Sequence, residues 1–121
     1  MENTTDTEKV YEVIRPFDES AIDAHAAKCG GRRLLKEIEV ITDDDYKFCY
    51  LVKRPTKDFI GAVQAKTKAT ETDTPGIEKL MIGLVLEGDK QAYELDASIY
   101  TQLIKQIGGM LRSASSDIKK I

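Results

Sequence analysis

The stretch Tyr46-Lys-Phe-Cys-Tyr-Leu-Val-Lys53, running into Arg54-Pro55-Thr56, most limits what this chain can fold into. Side chains alternate across an extended strand, so Tyr46, Phe48, Tyr50 and Val52 share one face while Lys47, Cys49, Leu51 and Lys53 share the other. This predicts a half-buried strand with an aromatic inner face. Pro55 cannot donate to a ladder but fits a helix's first position, so the chain is expected to leave the strand here and lay a helix over its aromatic face. Upstream, Leu34–Ile41 alternates Glu37 and Glu39 with Ile38 and Val40 and reads as a second half-buried strand. The polar connection Thr42-Asp-Asp-Asp45 between the two runs signals a hairpin.

Helical patterns surround this hairpin. Asp18 is placed to cap an alanine-rich helix that Gly30-Gly31 closes, because glycine takes the left-handed conformation at a helix end at little cost. Phe59, Ile60 and Val63 predict a helix over Pro55–Ala69, followed by a polar linker, Thr70–Pro75. Ile77, Leu80, Met81, Leu84 and Val85, widened by Ile82 and Leu86, predict a helix over Gly76–Leu86 that is apolar almost all round, and hence the most buried one. Gly88-Asp89 is read as its end, Ala92–Leu95 as a brief extended piece, and Asp96 as the cap of a last helix over Ala97–Lys119. Gly108-Gly109 inside that helix predicts a bend or a close neighbour. Val10–Ile14 is a short β-prone piece suited to a sheet edge. The fold class that follows is α+β, a small antiparallel hairpin or sheet packed against three to four helices.

Composition narrows the function classes. At 121 residues there is room for one domain and one core, assigned to residues 10–121, while polar, acidic Met1–Lys9 reads as a mobile arm. The formal charge of −3 supplies no basic field to gather phosphates, which argues against nucleic acid. No run of about 18 apolar residues is present to span a membrane. The two cysteines, Cys29 and Cys49, have no metal-ligand spacing, and with no leader pattern the expectation is a reduced, cytoplasmic protein.

No catalytic set emerges. Asp43-Asp44-Asp45 lacks the further spaced ligands and glycine of a calcium loop, and a turn explains it. His25 stands among alanines with no nucleophile at a motif spacing, so a packing or surface histidine is the plainer reading. Cys49 lies on the strand with only Lys47 nearby to activate it, and reads as inert. The expectation is a non-enzymatic protein without cofactor or metal. One feature resists a bland explanation: Lys53, Arg54 and Lys57 bracket a predicted helix start, where the peptide dipoles disfavour cations and free N–H groups invite an anion. They are the candidate partner-binding residues, for a carboxylate-rich protein or a bound anion. Screening by Asp58 and strand carboxylates on a solvated face is the alternative.

Tyr50-Leu-Val-Lys-Arg-Pro-Thr56, then an alanine-containing helix, then Glu78-Lys-Leu-Met-Ile-Gly-Leu-Val-Leu-Glu-Gly-Asp89 and a capped helix with a Lys-rich end, resembles small phage and prophage proteins of the tail-assembly-chaperone type. The resemblance covers Ile38 to Ile118 and consists of element order, with no catalytic motif. It implies a protein that binds tape-measure or tail-tube proteins in the host cytoplasm before tail assembly. A permanent virion component and a small-ligand or anion-binding protein are the other readings. The apolar helix face leaves room for self-association.

Overall fold

The computed structural model describes residues 10–68, 72–112 and 114–120. Met1–Lys9, expected as a mobile arm, lies outside them, as do Thr70 and Glu71 of the expected linker. Over the described residues the fold is α+β, with five α-helices and a mixed four-stranded sheet in the order β1 (Glu12–Ile14), α1 (Glu19–Cys29), β2 (Leu35–Ile41), β3 (Tyr46–Lys53), α2 (Lys57–Thr67), α3 (Thr74–Ile82), β4 (Val85–Glu87), α4 (Lys90–Leu95) and α5 (Ala97–Met110).

The predicted hairpin is the centre of the sheet. β2 and β3 pair antiparallel from Leu35↔Lys53 to Ile41↔Lys47, and Asp45 makes the turn in the left-handed region at φ 67°, which Asp tolerates better than most residues. The other edge of β3 is shared. β1 lies parallel along Tyr46–Phe48, and β4 lies antiparallel at Leu51 and Val52. The edge pairing expected for Val10–Ile14 is thus realised by its last three residues.

β3 is buried on both faces, where one buried face was expected. Its even-numbered residues Tyr50 and Val52, with Ile38 and Val40 of β2, join Met81, Leu84, Tyr93, Ile99, Leu103 and Ile107 in one core. Its odd-numbered residues Cys49 and Leu51 join Leu35, Phe17 and the α1 residues Ile22 and Ala26 in a second. α1 therefore covers the face that the alternation left to solvent. It begins and ends as its sequence predicts: Asp18 accepts from the Ala21 N–H at 3.0 Å, and Gly30 closes it at φ 100°.

Several helix boundaries differ from expectation. Pro55 precedes α2 rather than opening it, because Thr56 takes the cap and accepts from the Phe59 N–H at 3.1 Å. α2 buries none of its residues fully and packs on α3, with Phe59 reaching the edge of the core, so it does not cover the aromatic face as expected. The predicted helix over Gly76–Leu86 stops at Ile82, and Val85–Glu87 instead completes the sheet. A short apolar run satisfies helix and buried strand alike, and the unpaired edge of β3 decides between them. α3 buries only Met81, whereas α5 buries Ile99, Leu103 and Ile107, so α5 is the most buried helix. Leu84 and Val85 are inside the core, which removes the surplus apolar helix surface on which self-association rested. Lys90–Leu95 is a helix, not an extended piece, because Asp89 caps it by accepting from Ala92 N–H at 3.1 Å. α5 ends at Met110, short of Lys119, and residues 114–120 have no regular structure. The close neighbour expected at Gly108 is Met81, whose methyl would lie 3.4 Å from an added Cβ.

Candidate functional site

The three cations singled out in the sequence sit where β3 leaves the sheet for α2. Both sides of this corner are tied down: Lys53 N–H donates to the Leu84 carbonyl at 2.9 Å, and Arg54 N–H donates to the Leu34 carbonyl at 2.8 Å. The backbone presenting the side chains is held by the sheet on one side and the start of β2 on the other. Lys57 is exposed at the first helical position, and Lys53 and Arg54 are half-buried. Asp58 follows in the same turn, yet neither Lys53 nor Lys57 forms an ion pair with another described residue. Lys53 and Lys57 thus flank a helix start whose peptide dipoles do not favour cations.

The opposite end of the hairpin is acidic. Asp43 and Asp44 stand in the turn, and an open groove of about 560 Å³ runs between the end of β2 and the exposed flank of α5. Glu39 and Asp43 line its mouth, and Ser98, Thr101, Gln102 and Gln106 form the facing wall. No sequence pattern announced this groove, because its walls come from residues about 60 positions apart that meet only after α5 docks on the even face.

Two polar arrangements pin the α1 side. Arg15 reaches across β3 above Cys49 and grips Glu37 of β2 through both carboxylate oxygens, Nε–Oε2 and Nη2–Oε1 each at 2.9 Å, while its guanidinium stacks 4.5 Å over Phe17. The paired guanidinium holds the Glu37 carboxyl below its usual range. Burial, followed by the nearby Glu37 and Glu39 carboxylates, pushes the Cys49 thiol up to about 11, so the thiolate a nucleophile needs is suppressed at neutral pH. Glu37, Glu39 and Cys49 place ligand atoms within 4.8 Å of one another. Because Arg15 occupies both oxygens of Glu37, the cluster has the geometry of a clamp between β1 and β2. His25 Nε2 lies 2.7 Å from Glu87 Oε2, joining α1 to β4. This contact gives the lone histidine a packing partner 62 residues away, which no local pattern could disclose.

Compared with family models, curated proteins and solved structures, the chain matches none. Among the described residues, no helix is long and apolar enough to cross a membrane.

Proposed function

We propose that this chain is a non-enzymatic protein-binding factor of the phage tail-assembly-chaperone type, which engages an acidic segment of another structural protein through Lys53, Arg54 and Lys57. The observation that carries the reading is the corner itself: Lys53 sits on a backbone anchored to Leu84 and, through Arg54 N–H, to Leu34, Lys57 opens the helix that follows, and neither lysine has an ion pair to another described residue. A preorganised cationic corner loses little conformational freedom on binding carboxylates, and the charge steers the encounter. The tail-assembly class rests on the resemblance of the sequence from Tyr50 onward, strand, Lys-Arg-Pro, helix, apolar helix, Gly-Asp, helix, into which the fold inserts β4 before Gly88-Asp89 and α4 after it. Capture from a phage-bearing host, with identification of the co-purifying protein, tests the class; recovery of a tape-measure or tail-tube protein is expected. Lys53→Glu combined with Lys57→Glu tests the surface, since both residues lie outside the buried cores. The pair should weaken capture and flatten its salt dependence while the melting temperature stays within a few degrees. Unchanged capture across salt concentrations would remove the corner from the binding surface.

A further inference from the structure

β2 is an edge strand, paired on one side with β3 and on the other with no described residue. Its polarity can be read from the ladder. Thr42 N–H donates to the Tyr46 carbonyl, and Arg54 N–H to the Leu34 carbonyl, so positions 34 and 42 belong to hydrogen-bonded pairs. The register between them is unbroken. Antiparallel pairs alternate, so Ile38 and Val40 turn their backbone groups toward β3, while Glu37, Glu39 and Ile41 turn theirs outward. These outward donors and acceptors run beside the groove between β2 and α5.

We propose that this outer edge, Glu37 to Ile41, accepts an extended lysine- or arginine-bearing segment of another protein as a fifth strand. The side chains on one face of the added strand would lie along Ser98, Thr101, Gln102 and Gln106, uncharged groups able to donate and accept hydrogen bonds. Those on the other face would lie beside Glu39 and Ile41. Charge fixes the kind of segment: among the described residues, Glu39 and Asp43 are the charged lining of the groove, and it includes no lysine or arginine. Lys47 lies 3.9 Å from Glu39, a loose contact that leaves room for a closer cation.

A second copy of the chain is the natural competitor for a free edge, and charge disfavours it. Two β2 strands related by a two-fold axis must bring outward-facing residues opposite one another. The central registers then pair Glu37 with Glu39, Glu37 with itself or Glu39 with itself; Arg15 already compensates Glu37, so the like-charge penalty falls chiefly on the register that sets Glu39 opposite Glu39. Glu39, which no described arginine holds, guards the edge in that register and, with Asp43, selects a cationic strand. This surface lies at the other end of the hairpin from Lys53 and Lys57 and has the opposite partner chemistry, so it stands or falls independently of that corner.

Amide hydrogen exchange by NMR tests the inference, with a capped peptide of alternating threonine and lysine as the probe. In the full chain the amides of Glu37, Glu39 and Ile41 should exchange freely, and saturating peptide should slow them by about ten-fold or more, as new ladder hydrogen bonds form. A peptide N-methylated on its bonding edge should not protect them, and one with glutamate in place of lysine should not bind. Glu39→Lys with Asp43→Lys, checked for an unchanged melting temperature, should weaken the lysine peptide by about ten-fold and admit the glutamate peptide. Lys53→Glu with Lys57→Glu should leave peptide binding unchanged. The proposal is overturned if the N-methylated peptide binds as well as its parent, if protection fails to appear at the three amides, or if sedimentation shows a dimer already protecting them.

Discussion

Replacing Gly88 with alanine is the sharpest test of the packing around Tyr50. Gly88 lies at φ 132°, where an L side chain is strained, and an added Cβ would run into Tyr50 Cδ1 and fall 2.9 Å from Cε1 and 3.0 Å from the Cys49 carbonyl oxygen. The ring cannot yield: Tyr50 is fully buried against Tyr93, and its hydroxyl donates to the Asp89 carbonyl at 2.7 Å. Gly31 supplies the control, because it has φ 128° with no atom within 4 Å of the built Cβ. Gly31→Ala should therefore report backbone strain alone, about 1–3 kcal/mol, offset by the roughly 0.4–1 kcal/mol that alanine gains through a more restricted unfolded chain. Gly88→Ala adds the steric term of overpacking against an immobile ring, about 1–3 kcal/mol more. The expectation is a loss of roughly 2–5 kcal/mol at Gly88, exceeding that at Gly31 by at least about 1 kcal/mol. Equilibrium urea unfolding of the two variants and the parent gives both values, provided the m-values agree. Equal losses at both positions would refute the claim that Tyr50 closes over Gly88.

Leu84→Ala should destabilise by about 2–5 kcal/mol in the same urea experiment, because the side chain is buried in the core beside β4; a loss below about 1 kcal/mol would return Leu84 to an exposed helix face. Glu37 has a folded pKa below its unfolded one, so the stability from its clamp with Arg15 is present above the ordinary carboxylate range and is lost as pH falls through the folded value. Glu37→Gln should flatten the acid limb of melting temperature against pH below about pH 4 relative to the parent, and an unchanged limb would refute the clamp's contribution. Cys49, 2% exposed and with a thiol raised to about 11, should resist iodoacetamide in the native protein at neutral pH, while half-buried Cys29 is modified first. Peptide mapping of singly alkylated protein reads the order.

Where local chemistry suffices, the chain is legible before it folds. The strand over Tyr46–Lys53, the caps at Asp18 and Asp96, the left-handed Gly30 and the acidic turn before Tyr46 all depend on neighbours a few residues away, and each is found where the pattern puts it, although the one-sided burial that the alternation predicted is not. The cationic corner is likewise written in Lys53, Arg54 and Lys57, although its anchoring to Leu84 and Leu34 is not. Competition for partners decided the rest. Val85–Glu87 carries a pattern that suits a helix as well as a strand, and it becomes a strand because β3 has an open edge at Leu51 and Val52. Cys49 and Leu51 are buried because α1, too weakly amphipathic to predict a docking face, lies across them. The groove beside β2 and the Arg15–Glu37 clamp join residues distant in sequence, and their geometry exists only once the helices have covered both faces of the sheet.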